Sequence, residues 1–473
     1  MKATKIFMMA ALALMMIACS NDDFTEQPIE LPVDNNNKEI TITATLAPKG
    51  NDGMRAVDDN GDDKITVTWA VDEHLAILYT KDGNQMADAR ITAVDDVTGA
   101  ATITFTVEGG TPDNTDCQIV YPLSAAKSDK SGVKAYADML ATQDGVLDGD
   151  LDVRVGAGKI QVTTPGLDVT TQPAAQYSIF KFTIQDLSST DKTATQFKVS
   201  DNSGNVITTV TPSSATGTLY VALPVLATGM YWFNATIDSK PYIAKATVST
   251  ATLAGKYYQS TVKMATVGDA ILSDGKFATK GTSGQQAVIV YVGTVDKYFN
   301  HFLAIALSDA ANEVTWSDAL TAIGTYAAAH PITIGGTTYN NTNAWSSVYD
   351  VVSDNNTATS ATATTLHQGW RMPTVTDWRY LYAGIFGKLP TDPIGVYRGM
   401  VYYNTSSTGA DKFAIQDLVS DDILKGYGST YNTWFSSEVT GNDGKAWCFE
   451  PFYTFFYYHD KTTYFNVVAV FAY

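Results

Sequence analysis

From residue 39 to residue 264 the sequence is a succession of short runs in which apolar and polar side chains alternate. The first run, EITITATLA, places alternate apolar residues on one face and three threonines on the other. This period of two is typical of a β-strand that buries one face. Helical periodicity is almost absent over the whole stretch, so this part of the fold is predicted to be mainly β. The apolar face of the first run carries Ile40, Ile42, Ala44 and Leu46.

Further runs of this kind are separated by turn-forming segments rich in Gly, Asp and Asn. They fall into two series, each long enough for one β-sandwich. We predict one sandwich over 39–162 and a second over 163–266. The first series is KITVTWA, HLAILYT, ATITFTV, CQIVYPL and KIQVT, and the second is QYSIFKFTIQ, TQFKVS, NVITTV, GTLYVALP, MYWFNATI, YIAKATV and KYYQSTVKM.

Two amphipathic helices are predicted after residue 266, where the pattern changes. Thr315 with Asp318 frames the start of the first, which continues through Ala329. Thr374 with Asp377 frames the start of the second, because a Thr followed three residues later by an acid is a typical helix amino terminus. Residues 267–473 are therefore predicted to form a separate α+β domain.

The amino terminus has the pattern of an export signal. Two lysines are followed by an apolar run over 6–18, which is too short to span a bilayer as a helix. Cys19 follows directly and resembles the residue that takes up lipid in bacterial lipoproteins. We predict a signal peptide over 1–18, a lipidated Cys19 and a polar tether over 19–38. The alternative is an ordinary signal peptide that contains a cysteine.

The chain is acidic, with a formal net charge of -18 and a pI of about 4.6. This charge argues against nucleic acid as a partner, because phosphates need cations to neutralise them. It also argues against a basic membrane-binding face, so the acyl group would do the anchoring. Cys117 and Cys448 fall in different predicted domains; a disulfide between them is one interpretation, and two buried free thiols are favoured.

The sequence carries no recognisable enzymatic motif. The five histidines are scattered, and neither an HExxH pair nor a G-x-S-x-G elbow is present. Carboxylates are so abundant that any pair of them is uninformative, so counting does not exclude a two-acid glycosidase. We predict a protein that is not an enzyme and uses neither a metal ion nor another cofactor.

Three features of the first two domains together resemble the fimbrillin family, the two-domain, transthyretin-like β-sandwich subunits of bacterial type V pili. Trp69 and Asp72 follow a Met-Arg-Ala loop, Tyr121-Pro122 ends a strand, and the segment AGKYY opens the last strand of the second domain. The resemblance implies that a trypsin-like protease cuts after Arg55, before Ala56. Cleavage would remove the lipid, the tether and the first strand, leaving a groove that accepts a strand from another subunit. The alternative is that Arg55 is a solvated charge among aspartates.

The last domain resembles the C-type-lectin-like module, through its segment GWRMPT opening a helix, WFSS and Ala-Trp. The resemblance places Trp434 and Trp447 in the core. Exposed aromatic rings stack on sugars or peptides, so the aromatic-rich stretch near the end provides candidate ligand contacts. Asn442 and Asp443 loosely resemble lectin sugar ligands, but too few oxygens accompany them for a calcium site. The candidate aromatic contacts are Tyr453, Tyr457 and Tyr458.

Taken together, these patterns predict a fimbrial tip adhesin at the outer-membrane surface of a Gram-negative bacterium. About 200 residues follow the second sandwich, so the chain would accept a strand from other fimbrillin subunits but would not readily donate one. The last domain would meet a host or bacterial glycan or protein. The alternatives are a pilus anchor and a stand-alone glycan-binding lipoprotein.

Overall fold

Strands dominate the part of the chain that the structure describes, which confirms the mainly β fold class. No helix there has the length and apolar character needed to cross a bilayer. The computed structural model describes residues 39–49, 68–295, 298–340, 351–352, 358–359, 368–386, 393–397, 400–403, 433–439, 442–450 and 455–473.

The first sheet has the strand order β1-β4-β3-β2-β5-β7-β8. One of its faces encloses a core in which Ile77, Ile103, Ile119 and Ile160 are fully buried. Residues 68–70, the described end of the predicted strand KITVTWA, are not in a strand. The first strands are β1 Ile40–Leu46, β2 His74–Thr80, β3 Asn84–Val94, β4 Ala101–Val107, β5 Thr115–Tyr121, β6 Thr142–Gln143, β7 Arg154–Gln161 and β8 Gly166–Ala175.

The predicted boundary between residues 162 and 163 falls in the turn between β7 and β8, which are antiparallel partners in this sheet. The register runs from Arg154 opposite Ala175 to Gln161 opposite Gly166. Strand pairing therefore extends the first structural unit, the one built on this sheet, to Ala175. Half of the ten side chains of β8 are exposed and only Pro173 is buried, so its sequence lacks the alternation that predicts the other strands.

The second unit is built on the strand order β12-β9-β15-β14-β13-β10-β11-β6. β15 pairs in parallel with β9 along its length and with β14 through its last two residues, so it joins the two halves of the sandwich. β6 precedes the rest in sequence and pairs in parallel with β11. The strands are β9 Ser178–Asp186, β10 Gln196–Asp201, β11 Val206–Val210, β12 Thr218–Leu223, β13 Gly229–Ile237, β14 Lys240–Val248 and β15 Tyr257–Thr266.

The last unit contains a sheet of order β17-β16-β18-β19-β32-β25 and a second of order β20-β31-β28-β29-β30-β27-β26. Its first strands are β16 Ala270–Leu272, β17 Phe277–Ala278, β18 Gln285–Val292, β19 Phe302–Ala306, β20 Ala311–Val314, β21 Ile332–Ile334, β22 Thr337–Tyr339, β23 Val351–Val352 and β24 Ala358–Thr359. The others are β25 Gly369–Arg371, β26 Pro393–Tyr397, β27 Met400–Tyr403, β28 Thr433–Val439, β29 Asn442–Glu450, β30 Phe455–Asp460, β31 Phe465–Val467 and β32 Val470–Ala472.

The described helices are α1 Tyr136–Met139, α2 Trp316–Ala329 and α3 Val375–Phe386, besides two short 3-10 turns. α2 and α3 confirm the two predicted helices. The Thr315 hydroxyl accepts a hydrogen bond from the backbone N–H of Asp318 (3.3 Å), and Thr374 does the same for Asp377 (3.0 Å). Each threonine thus satisfies a backbone donor that a helix amino terminus leaves free.

The three units share buried surfaces. Leu78 and Val120 of the first sheet pack in one cluster with Ile179 and Ala222 of the second unit. Trp232 of the second unit is fully buried in the same core as Trp370, Tyr473 and much of the last unit. Cys117 is buried in β5 and Cys448 in β29, and neither forms a disulfide.

Candidate functional site

The first strand, β1, lies at an edge of the first sheet and is hydrogen-bonded along one side, to β4. The register is antiparallel, from Ile40 opposite Val107 to Leu46 opposite Ala101. Ile42 and Leu46 are fully buried and Ala44 is 9% exposed, whereas the intervening threonines are exposed. The predicted alternation of this strand is therefore confirmed.

β1 covers the core of the first unit. Its buried side chains belong to the same cluster as Ile103 and Phe105 of β4 and Ile77 of β2. Burying one side chain of this size contributes about 1.5–3 kcal/mol, so Ile42 and Leu46 together contribute roughly 3–6 kcal/mol. Loss of the strand would expose an apolar groove and the backbone edge of β4.

β8 lies along the other side of β1, without a ladder of backbone hydrogen bonds between them. The backbone N–H of Ala47 donates instead to the side-chain Oε1 of Gln172 on β8 (3.1 Å). β1 therefore fills the space between two strands, one of which pairs with it through the backbone. A segment that replaced it would meet the same paired edge and the same flanking strand.

The chain just after β1 is held by two side chains from elsewhere in the first unit. The indole Nε1 of Trp69 donates to the carbonyl of Ala47 (2.9 Å), and the Nη1 of Arg154 donates to the carbonyl of Lys49 (2.8 Å). Hydrogen bonds to charged donors are stronger than neutral ones. These two bonds fix the position at which the chain leaves the groove.

The side chain of Lys49 lies in an enclosure that we call the Lys49 cage, formed by Trp69, Glu73, Tyr121, Asp152 and Arg154. Its Nζ lies 3.8 Å from the centre of the Tyr121 ring and 4.3 Å from that of Trp69. The two rings meet edge to face, with centres 5.3 Å apart. Cations are attracted to the faces of aromatic rings, most strongly when water is excluded.

Charges in the Lys49 cage balance. The Nζ of Lys49 lies 3.5 Å from an Oε2 of Glu73 and 3.4 Å from an Oδ2 of Asp152. The Nε of Arg154 donates to both carboxylate oxygens of Asp152 at 2.9 Å, and the hydroxyl of Tyr121 donates to Glu73 (2.7 Å). Two cations thus face two carboxylates. Burial lowers the pKa of Lys49, while the charges of Asp152 and Glu73 act in the opposite direction.

The remaining predicted site residues are placed only in part. Cys19, Arg55, Ala56 and Tyr453 lie outside the described residues. Lys49 and Thr68 border the segment that contains Arg55, so the Lys49 cage stands at the start of that segment.

Four candidate ligand contacts lie on a hairpin of the last unit. Asn442 and Asp443 begin β29, and Tyr457 and Tyr458 lie on β30, with side chains outside the described part of the structure. In the hairpin register Tyr458 is opposite Trp447, and Tyr457 is opposite Cys448.

The predicted core tryptophans of the last unit are confirmed. Trp434 is fully buried and Trp447 is 1% exposed. The indole Nε1 of Trp434 donates to the carbonyl of Val314 (3.1 Å). Tyr464, beside β31, is by contrast 65% exposed. No group of three or more metal-ligating side chains is found among the described residues.

Sequence reasoning did not anticipate the Lys49 cage. Trp69 and Tyr121 belong to the family pattern described above, whereas no sequence pattern connects them with Lys49, Glu73, Asp152 and Arg154. The available signal was a lysine directly after a strand that buries alternate residues. Its partners come from strands and loops far apart in sequence, which spacing alone does not reveal.

Comparison with known proteins gave no matching family model and no matching curated protein. Among solved structures, similarity is found to a fimbrial protein from Bacteroides ovatus, with 11% identity, 92% of this chain and 100% of that chain covered, and a TM-score of 0.25. A fimbrial assembly protein from Parabacteroides distasonis is 9% identical, with 53% of this chain and 96% of that chain covered and a TM-score of 0.27. The tip fimbrial protein Mfa3 from Porphyromonas gingivalis, truncated at its C-terminus, is 10% identical. That match covers 48% of this chain and 99% of that chain, with a TM-score of 0.25. Similarity at this level assigns no role to any residue of this chain.

Proposed function

We propose that this chain is a subunit of a cell-surface fimbrium, in which cleavage after Arg55 releases β1 and another subunit's strand takes its place. The subunit would be exported as a lipoprotein with its lipid on Cys19, and would reach the outer-membrane surface before processing. Its partners would be other fimbrial subunits and a glycan or protein on a host or bacterial surface.

The observation that carries this proposal is the way in which β1 is attached. It is an edge strand, paired along one side, that buries Ile42 and Leu46 in the core. The segment with Arg55 follows it directly. An edge that loses such a strand presents unpaired backbone groups and apolar pockets at alternate positions, which favours addition of another strand.

The same architecture supports a role as strand acceptor and not donor. β15 is paired within the second unit and is followed closely by β16 of the last unit. β32 lies between β19 and β25, in the interior of its sheet. Giving up either strand to a neighbour would dismantle the unit that contains it. A subunit that keeps both strands and accepts one from a neighbour would suit the tip of a fibre.

The last unit would then be the adhesive module. The candidate contacts on its β29–β30 hairpin are Asn442, Asp443, Tyr457 and Tyr458, with Tyr453 in the connection between the two strands. Aromatic rings and amide or carboxylate groups are the usual composition of a sugar- or peptide-binding surface. Asn442 and Asp443 begin β29 at the end away from the connection, so they would form a subsite separate from that of the tyrosines.

The test is to sequence the amino terminus of the protein sheared from cells and of the protein that stays in the membrane fraction. We expect the sheared protein to start at Ala56. Arg55→Gln should abolish that start and reduce the amount of protein in fibres, whereas Arg90→Gln, at an exposed arginine of β3, should leave both unchanged. A lipidated Cys19 at the start of the protein in every fraction would refute processing.

An anchor subunit that keeps β1 is the second candidate, and the Lys49 cage favours it. The buried lysine and the bonds from Trp69 and Arg154 hold the end of β1 in place whether or not the following segment is cut. An anchor would show the lipidated start only in the membrane fraction, at the base of fibres, with Arg55→Gln having no effect.

A further inference from the structure

The Lys49 cage has a consequence for the identity of the strand that replaces β1. We propose that, once β1 has left, the cage binds the ammonium group of a lysine on the incoming strand and thereby selects that strand and fixes its register. This inference rests on the proposed exchange of β1.

The segment released with β1 includes Lys49. Its departure would leave the charges of the cage unbalanced. Arg154 remains paired with Asp152 through two hydrogen bonds of 2.9 Å, and Glu73 keeps its bond from Tyr121. Glu73 is then the carboxylate without a counter-ion, and its side chain is 24% exposed while Lys49 is in place. Two carboxylates facing one guanidinium leave a net negative charge in the cage, so the vacated cage favours a new cation.

Two hydrogen-bond donors would lose their acceptors at the same time. Trp69 donates to the carbonyl of Ala47, and Arg154 donates to that of Lys49. Both acceptors are backbone carbonyls, which any extended strand carries. A strand that presents a lysine in this register satisfies both donors and the carboxylate together, and a free metal ion or a buffer cation does not.

The shape of the site favours lysine over arginine. The Nζ of Lys49 lies between two ring faces at 3.8 and 4.3 Å and two carboxylates at 3.4 and 3.5 Å. A compact ammonium with three donors can reach both carboxylates from between the two rings, whereas a planar guanidinium presents its donors as a rigid fork in one plane.

The expected occupant therefore has a defined pattern. Apolar residues occupy alternate positions, as Ile42, Ala44 and Leu46 do in β1, and a lysine lies three positions after the last of them, as Lys49 does. The alternating apolar residues alone do not fix the register of the incoming strand. A shift by two residues still places apolar side chains on the buried face. The lysine removes that ambiguity.

The test uses the full-length chain with a site for a sequence-specific protease inserted between Arg55 and Ala56. After cleavage, the nicked protein is incubated with a fluorescent peptide, EITITATLAPK (residues 39–49), in excess, and its incorporation is measured by fluorescence anisotropy. Two variant peptides are compared: Lys49→Gln, and Lys49→Gln combined with Thr43→Lys. The second keeps the net charge but moves the lysine to a position that is exposed in β1.

We expect the unmodified peptide to replace the nicked segment and both variants to bind at least about tenfold more weakly. Glu73→Gln in the protein should reduce that discrimination. If all three peptides exchange equally, lysine selection is refuted while strand exchange stands. If no peptide replaces the segment, both the exchange and the selection are refuted.

Discussion

The indole ring of Trp232 stacks on the imidazole ring of His301, with the ring centres 4.0 Å apart and the planes 14° apart. Trp232 belongs to the second unit and His301 to the last unit, so the stack joins the two. Both residues are buried, and burial lowers the pKa of His301 to about 4.

This contact should make the junction sensitive to acid. The folded state keeps His301 neutral, whereas the unfolded chain takes up a proton near the ordinary pKa of 6.5. Stability should therefore be fully present above about pH 6.5 and fall as the pH drops towards 4, by roughly 3 kcal/mol at most. His301→Phe should remove this component, as measured by urea unfolding at several pH values. An unchanged pH profile in the variant would show that other groups dominate.

Gln143 is expected to couple the first unit to the second. Its Nε2 donates to the carbonyls of Leu140 (2.9 Å) and Ala222 (2.8 Å), and its Oε1 accepts from the backbone N–H of Ala222 (2.8 Å). Gln143→Ala leaves the backbone N–H of Ala222 without a partner, whereas the two carbonyls keep donors from Thr208 and Tyr136, so a loss of about 1–3 kcal/mol is expected. Calorimetry of the Gln143→Ala variant should show the first and second units unfolding in separate transitions. Gln259→Ala, at an exposed position of β15, is the control; equal effects would argue against coupling.

The two capped helices should respond very differently to loss of an acid. Arg371 and Asp377 are almost fully buried, and Arg371 Nε donates to Asp377 at 3.1 Å. Asp377→Asn leaves a buried guanidinium without its counter-ion, which should cost about 3–5 kcal/mol. The matched change Asp318→Asn, at the exposed start of α2, should cost about 1 kcal/mol or less. Urea unfolding followed by tryptophan fluorescence gives both values, and similar losses would contradict the role assigned to burial.

Opening of the first sheet should depend on the buried side chains of β1. Leu46→Ala removes a fully buried side chain, and such changes destabilise by about 2–5 kcal/mol. Hydrogen exchange at the amides of β4 should accelerate accordingly, because those amides pair with β1. Thr45→Ala, at the neighbouring exposed position, should change exchange little; equal acceleration would mean that β1 opens without exposing the core.

The elements that could be predicted from sequence are those whose residues carry a local pattern. β1 alternates over its length, and α3 begins at a threonine with an acid three residues later. β3 was missed because its buried positions include the small residues Ala87 and Ala89, which give a weak apolar signal. β8 gives no such signal because only one of its ten side chains is buried and half of them are exposed.

The sites that could not be predicted depend on contacts between distant residues. The Lys49 cage joins side chains from positions 49 to 154, and the stack at the second junction joins positions 232 and 301. No short motif records either arrangement. A buried lysine beside two aromatic rings can be identified only after the sheet has placed them together.

The interior position of β32 also sets an order of events during synthesis. Leu303 and Gly369 both pair with Ala472, so the middle of that sheet is missing until the ribosome has added the last of these residues. Until then β19 and β25 keep their apolar faces uncovered, whereas all residues of the two preceding sandwiches have already been synthesised. Long-range pairing of this kind is slow to form. A nascent chain should therefore complete its first two units early and its last unit in a single late step.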